Sequence, residues 1–310
     1  MTTLLFVILL SLILDRFLSE RGGFRLWEWY GDWADSIEQR FNGGLRVQGM
    51  SAVVLAIVPI LVATAIAAFV LSQITGVLAF LFSVAVLYLC VNLFEIGSVA
   101  QSIAAALDGG DVRAAALRLR NLTGKETVET TAAGVSHATV EAVLKQANSI
   151  VIAPIFWFLV LGPAGALLQR MACVLDRLWG HRTAQFVEFG WAAARLDDIL
   201  NWVPARITAI SYAVMGSFED ALHCWRREGR MWSDINSGPL LASGLGALHL
   251  DTSESSAEKD VYGNTALDPD ELPDANDIRR AVALVWRVML FWLAVGVLMA
   301  GAHLAGFITR

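Results

Sequence analysis

Long apolar segments constrain this chain more than any other feature of its sequence. Four stretches are long and apolar enough to cross a bilayer as helices: residues 51–72, 75–94, 150–171 and 282–307. The hydrocarbon core of a bilayer is about 30 Å thick, so a spanning helix needs roughly 20 apolar residues. Charged residues make up 17% of the chain, against about 25% in soluble domains. The sequence therefore predicts an integral membrane protein.

Two further segments are weaker candidates for membrane helices. Residues 1–13 are apolar and lack the features of a cleaved signal, which indicates an uncleaved anchor. Residues 203–218 are short and contain Pro204, so this segment is re-entrant, interfacial or buried among other helices. The predicted fold class is thus all-α: a polytopic transmembrane protein of about five or six spans with cytoplasmic helical loops. We expect a single domain over residues 1–310.

The distribution of basic residues predicts the orientation of the chain. Residues 16–50 hold five arginines and residues 95–148 hold three arginines and two lysines, whereas residues 72–75 hold neither. Cytoplasmic loops are enriched in Lys and Arg, so we expect the two basic loops to face the cytoplasm. The predicted location is the bacterial inner membrane, crossed several times, with the lipid bilayer as a partner.

The side on which residues 172–202 lie is left open by the sequence. A full crossing by residues 150–171 would place them outside. A re-entrant pair of helices within that segment would instead keep them on the cytoplasmic side. Helix-breaking residues in the segment allow this second arrangement: Pro154, Gly162, Pro163 and Gly165.

Two segments between the predicted spans differ from them in composition. Residues 97–147 are predicted to form pairs of helices, with Gly109 and Gly110 ending one helix and Asp111 capping the next. Residues 251–277 contain nine acidic residues and one lysine, which predicts a solvated, mobile loop. The alternative for this acidic segment is a lid over a site at the membrane edge.

The densest polar stretch beside an apolar segment is residues 189–206. Arg195 and Asp198 are spaced for pairing on a helix, as are Asp198 and Asn201. Ionisable groups at membrane depth are candidates for a binding site, and arginines bind anionic groups by paired hydrogen bonds. We therefore predict a site for an anionic or nucleotide-type ligand, in which the acids orient the arginines or bind a cation. The candidate ligand-binding residues are Arg195, Asp197, Asp198, Asn201 and Arg206, with Asp176 and Glu141 as secondary members. The alternative is a polar seam that joins helices at the bilayer edge.

Other kinds of chemistry find little support in the sequence. The net charge is −6 and basic residues form no run, which excludes a nucleic-acid binder by charge. The three cysteines are far apart, and no two of the five histidines have a metal-ligand spacing. Phosphate-binding, dinucleotide-binding, hydrolase and metalloprotease motifs are absent from the sequence. We therefore predict no metal site and no cofactor, and the catalytic residues are unknown.

The sequence resembles the CobD/CbiB superfamily, which includes adenosylcobinamide-phosphate synthases and the AmpE proteins linked to β-lactamase induction. The residues that carry the resemblance are Ile152-Ala153-Pro154-Ile155-Phe156-Trp157, Gly162-Pro163-Ala164-Gly165, Leu175-Asp176, Gly180, Phe189-Gly190, Ala194-Arg195-Leu196-Asp197-Asp198, Asn201 and Pro204-Ala205-Arg206. The match is specific over residues 150–210 and looser outside them.

Synthase motifs are altered in this chain, above all around residues 141–150 and 232–239. The run Glu-Ser-x-Ala-Glu-Asn-x-x-Asp-Gly of the synthases corresponds to residues 141–150, where Glu141 is kept and Lys145 reverses a charge. The run His-x-Ser-Pro-Asn-Ala-Gly-Trp-Pro-Glu corresponds to the stretch that begins at Trp232, where the His and the Glu are lost. These losses favour a retained fold without synthase activity.

The resemblance thus implies an AmpE-like protein with a regulatory or sensory role in the cell-envelope or β-lactam response. Its expected partners are envelope-stress or peptidoglycan-recycling proteins. The alternative is a synthase that joins adenosylcobyric acid to aminopropanol phosphate through an amide bond, with ATP and Mg as its requirements. A third alternative is a structural or lipid-contacting membrane protein.

Overall fold

The computed structural model describes residues 2–18, 23–124, 131–181, 183, 185–229, 232, 234–250 and 273–305. Helices make up most of this part of the chain, and no strand occurs in it. The helices are α1 (Thr2–Leu18), α2 (Gly23–Phe41), α3 (Arg46–Ile74), α4 (Gly76–Cys90), α5 (Leu93–Asp108), α6 (Val112–Thr123), α7 (Ala132–Ala147), α8 (Ala153–Trp179), α9 (Trp191–Met215), α10 (Phe218–Glu228), α11 (Ser237–Ala247) and α12 (Ala275–Leu304). A π-helical turn, Asn148–Ile152, joins α7 to α8. The all-α prediction is confirmed.

Four helical segments of the described chain are long and apolar enough to cross a membrane: Arg46–Ile74, Gly76–Asp108, Ala132–Trp179 and Ala275–Leu304. They contain the four stretches that hydropathy predicted, apart from the first residue of 75–94 and the last three residues of 282–307. Neither α1 nor the 203–218 segment is among them. The count of five or six spans stays a prediction.

The chain forms two compact units, which interleave along the sequence. Unit 1 contains residues 1–93, 149–204 and 293–310, and unit 2 contains residues 94–148 and 205–292. Neither unit is a continuous stretch, and the single domain over 1–310 stays a prediction.

Helix α4 forms the centre of unit 1. It contacts α1, α2, α3 and α8, and α3 also packs on α8. The unit also has an apolar surface that is exposed. On α3, for example, Val54, Ile66 and Phe69 are each more than half exposed. Such a face is suited to lipid rather than to water.

Asp15 joins α1 to the start of α5. Its carboxylate is 2% exposed and accepts a hydrogen bond from the backbone N–H of Leu93 at 2.8 Å. The first N–H groups of a helix lack partners within the helix, and its N-terminus carries a partial positive charge. The buried charge of Asp15 is therefore stabilised by the end of α5.

Helix α11 forms the core of unit 2, because nearly all of its residues are buried. Small residues let its neighbours approach closely: a Cβ at Gly244 would lie 2.7 Å from the Leu144 side chain. Polar groups around α11 are paired, since Ser243 donates to the carbonyl of Ala209 at 2.6 Å. The Tyr212 hydroxyl likewise donates to the carbonyl of Leu144 at 2.8 Å.

The predicted signals for helix ends are confirmed where the structure describes them. The Asp111 side chain accepts from the N–H of Ala114 and begins α6, after Gly110 at φ 75°. The Asp274 carboxylate accepts from the N–H groups of Asn276 and Asp277 and caps α12. This corrects the end of the predicted acidic loop, because its last residues, 275–277, are the first turn of a helix. Residues 251–272 lie outside the described residues.

The segment predicted over 203–218 is part of the longer helix α9, which begins at Trp191 and ends at Met215. Pro204 lies inside this helix and does not end it. On the unit 2 part of the helix, Thr208, Ala209 and Tyr212 are fully buried. One face of this segment is thus buried among other helices, and the choice between the three alternatives stays a prediction.

Candidate anion-binding site

The two altered synthase motifs meet in unit 2. Lys145 on α7 donates from Nζ to Oδ2 of Asp234 at 3.1 Å, although the two residues are 89 positions apart. The Ser237 hydroxyl also donates to Oδ2 of Asp234, and the N–H of Asn236 donates to its Oδ1 at 2.9 Å. Asp234 therefore fixes the turn that leads into α11 and connects it to α7.

The surroundings of Asp234 favour its charged form. Burial by itself raises the pKa of this carboxyl, but the charge of Lys145 and the hydrogen bonds from Ser237 and Asn236 outweigh it. Together they lower the pKa of Asp234 to about 2, from its ordinary value of 3.8. Asp234 is therefore a carboxylate at any physiological pH.

The turn held by Asp234 also holds Arg206. The guanidinium of Arg206 donates from Nη1 to Oδ1 of Asn236 at 2.8 Å and from Nη2 to the carbonyl of Ile235 at 3.3 Å. Burial lowers the pKa of Arg206, an effect that the nearby charge of Asp234 opposes. An arginine in a protein nevertheless stays protonated, so the turn presents a fixed positive charge.

Arg206 lines a cavity of about 730 Å³ in unit 2, a volume typical of small-molecule sites. The lining residues are Arg206, Leu222, Trp225, Arg226, Gly229, Trp232, Ile235 and Pro239. Two of these are cationic, two are indoles and none is acidic. Arginines bind phosphate and carboxylate groups, and indole faces bind flat or apolar groups. The cavity is therefore suited to an anion that also carries a sizeable apolar or ring-shaped part.

Two glycines bring the end of α10 and the start of α11 together behind this cavity. A Cβ at Gly238 would lie 2.2 Å from the carbonyl oxygen of Gly229, which is closer than real Cβ atoms come. A Cβ at Gly229 would lie 2.6 Å from the carbonyl oxygen of Trp225. One wall of the cavity is thus backbone packed directly on backbone.

The structure distributes the predicted site residues over both units. Arg206 and Glu141 lie in unit 2, where Glu141 Oε1 is 3.9 Å from Nδ1 of His137. The remaining candidates lie in unit 1: Asp176, Arg195, Asp197, Asp198 and Asn201.

Within unit 1, the amide of Asn201 donates to the side chain of Asp197 at 2.8 Å and to its carbonyl at 3.1 Å. This pair is one helical turn apart on α9. Asp176 lies near the end of α8, where its carbonyl accepts from the N–H of Gly180 at 2.7 Å. Arg195 is exposed on α9. These contacts lie within α9 and at the end of α8, and the ligand role predicted for the residues stays a prediction.

Sequence reasoning missed most of the residues that surround the cavity. Asp234, Asn236 and Ser237 were considered only as parts of an altered motif, and Arg226 was not among the candidate residues. The sequence did offer one signal. A short polar stretch follows Trp232 and directly precedes the glycine-rich helix α11. In the part of the chain that the structure describes, no group of three or more metal-binding side chains occurs.

Comparison with known proteins gives a consistent family. The profile of the CobD/Cbib protein family matches residues 8–285. A protein of Stutzerimonas stutzeri named cobalamin biosynthesis protein CobD is 36% identical over 290 residues, covering 92% of this chain and 94% of the relative. A protein of the same name from Chromobacterium violaceum is 34% identical over 309 residues, covering 96% and 97%. No solved structure matches the chain significantly.

These relatives correct the functional prediction made from the sequence. The expected AmpE-like regulatory role is wrong, because relatives that match nearly the whole chain are named for cobalamin biosynthesis and nothing among them indicates the AmpE branch. The predicted roles in antibiotic response and regulation are withdrawn with it. The alternative, cobalamin biosynthesis, is the better supported. The chain belongs to the CobD/CbiB family.

Proposed function

We propose that this protein is a membrane-bound enzyme of cobalamin biosynthesis that joins adenosylcobyric acid to aminopropanol phosphate through an amide bond. The observation that carries the proposal is the 36% identity to a cobalamin biosynthesis protein CobD over 92% of the chain. The reaction itself is the one that the resemblance to the synthases implies.

The altered motifs are compatible with this activity, because two of the changes occur at residues that contact each other. Lys145 stands where the synthases carry Glu, and Asp234 stands where they carry Ser. In this chain the two side chains form an ion pair at 3.1 Å. The Asn and the Gly of the second motif are kept as Asn236 and Gly238. The charge reversal at Lys145 is thus matched by a new partner, and it no longer indicates a lost site.

Amide formation from a carboxylate requires activation of that carboxylate, because one of its oxygens would otherwise have to leave as hydroxide, which is a poor leaving group. Phosphoryl transfer from ATP, as a substrate, to the corrinoid carboxylate would give an acyl phosphate and ADP. The amine then attacks the acyl carbon, phosphate leaves with the carboxylate oxygen, and the amine releases its proton. Developing negative charge on phosphate oxygens is stabilised by fixed cations.

We assign the cavity beside Arg206 to a phosphate-bearing substrate of this reaction. Arg206 and Arg226 would bind phosphate oxygens, and Trp225 and Trp232 would contact the rest of the molecule. Asp234 would act as a positioning residue, because it orders the turn that holds Arg206. A Mg ion would bind in this cavity only together with substrate phosphates, which commonly supply its ligands.

The proposal is tested with purified protein in detergent or nanodiscs, supplied with adenosylcobyric acid, aminopropanol phosphate, ATP and Mg. Mass spectrometry should detect the amide product together with stoichiometric ADP and phosphate. The relative from Stutzerimonas stutzeri, prepared in the same way, serves as the positive control. Absence of product with this protein, while the relative turns over, would refute the proposed function.

Variants link the activity to the cavity. Arg226→Gln removes one cationic partner of a phosphate group, a contact of about 1.5–3 kcal/mol, so catalytic efficiency should fall roughly ten- to hundredfold. The matched control is Arg113→Gln, which makes the same change at an exposed position on α6 and should leave the activity unchanged. Equal activities of the two variants would exclude the cavity as the substrate site.

A further inference from the structure

Helix α8 reverses its direction at Gly162. This residue has φ 67° and ψ −154°, a backbone conformation outside the helical region that side-chain-bearing residues rarely adopt. Pro163 follows directly and has no N–H to continue the helical hydrogen bonding. The segment Ala153–Trp179 therefore consists of two helical arms joined at a glycine.

Contacts across the turn show that the two arms are antiparallel. A Cβ at Gly165 would lie 2.3 Å from the carbonyl oxygen of Trp157. Nε2 of Gln169 donates to the carbonyl of Ser149 at 3.0 Å. In a straight helix these two pairs would be about 12 Å and 30 Å apart along the axis. Residues 149–179 thus form a helical hairpin, and its first and last residues both lie away from the turn at Gly162.

The hairpin is apolar at its tip and packs against helices of membrane length. Leu159, Val160 and Leu161 lie just before the reversal, and each is more than half exposed. Both α3 and α4 contact α8 within unit 1. The arms over 149–161 and 163–179 are only about 20 Å and 25 Å long, which is less than the 30 Å or so of a bilayer core.

We infer that residues 149–179 form a re-entrant membrane hairpin, whose tip contacts lipid acyl chains and does not emerge on the far side of the bilayer. Residues 148 and 180 then lie on the same side. This answers the question that the sequence left open for residues 172–202. The inference does not depend on the proposed enzymatic function.

The composition of unit 2 agrees with the inference. This unit combines residues that precede the hairpin with residues that follow it. Lys145 pairs with Asp234, and Thr208 donates to Oδ1 of Asn148 at 2.9 Å. These contacts put the chain before the hairpin and the chain after it on the same side of the membrane, as a re-entrant hairpin requires. The basic residues of the 95–148 loop place that side in the cytoplasm.

Cysteine accessibility tests the hairpin in the full-length protein. The background variant replaces the native cysteines with alanine: Cys90, Cys173 and Cys224. Single cysteines are then introduced at four exposed positions: Arg113 before the hairpin, Val160 at its tip, Thr183 after it, and Gln73 before the α3–α4 turn. Each variant is treated with a membrane-impermeant maleimide in spheroplasts and in inverted vesicles.

The hairpin predicts one pattern of labelling. Arg113→Cys and Thr183→Cys should react only in inverted vesicles, and Gln73→Cys only in spheroplasts. Val160→Cys should react in neither, and a fluorophore attached there in detergent should be quenched by spin-labelled lipid after reconstitution. Reaction of Thr183→Cys from the same side as Gln73→Cys would mean a single full crossing. Reaction of Val160→Cys in spheroplasts would mean that the tip emerges. Either result overturns the inference.

Discussion

Removing the charge of Asp234 tests the network that holds the candidate site. A fall of its pKa from 3.8 to about 2 corresponds to about 2 kcal/mol of stability at neutral pH. Because 37% of the side chain is exposed, solvent screening reduces this value to about 1 kcal/mol. Asp234→Asn should therefore lower Tm by about 2 °C at pH 7 in a chain of this size.

The pH dependence of this effect has a definite sign. The folded-state pKa of Asp234 lies below its unfolded value, so acid protonates the unfolded chain first. The stabilisation is fully present above about pH 4–5 and is lost as the pH falls towards 2. The difference in Tm between the wild type and Asp234→Asn should shrink over the same range, as followed by thermal unfolding in detergent.

A double-mutant cycle with Lys145→Gln isolates the ion pair from other effects of the substitution. The two changes should be less than additive by about 0.5–1 kcal/mol, since the residues are in direct contact. The reasoning fails if Asp234→Asn leaves Tm unchanged at pH 7, or if the difference in Tm stays the same at pH 2.5.

Two further predictions concern unit 1. Gly190→Ala should abolish stable expression, because its Cβ would lie 1.7 Å from the backbone oxygen of Trp179. The control Gly76→Ala should be tolerated, because nothing lies within 4 Å of the added Cβ. The yield of detergent-purified protein and its size-exclusion profile compare the two variants. Asp15→Ala should cost about 1.5–3 kcal/mol because it leaves the buried N–H of Leu93 without its charged acceptor, and Asp15→Asn should recover most of that loss in thermal unfolding. Equal Tm values for Ala and Asn at this position would contradict the proposed capping of α5.

The helices could be predicted from the sequence because their signals are local. Apolar runs of membrane length predicted α3 and α4, and Gly110 followed by Asp111 predicted a helix end and a new start. The reversal within α8 could only be offered as an alternative. Glycine and proline permit a break, but whether the arms fold back depends on contacts such as that between Gln169 and Ser149.

The candidate site could be predicted only in part. Arg206 was predicted as a ligand for anions, since a cation beside an apolar segment is a local feature, and it lines the cavity. Its surroundings were missed because Lys145 and Asp234 are 89 residues apart, and Lys145 was judged alone as a departure from the synthase pattern. The same reasoning produced the wrong functional prediction, since the charge reversal at Lys145 was counted as a loss without knowledge of its partner.

The contact between Gly229 and Gly238 has a consequence for how substrate range can change in this protein. Their backbones already touch, so no substitution on that wall can deepen the cavity, and any added side chain there would push two helices apart. Beside these glycines the cavity is lined by the large rings of Trp225 and Trp232. Trimming these indoles is the route by which directed evolution would admit a bulkier molecule.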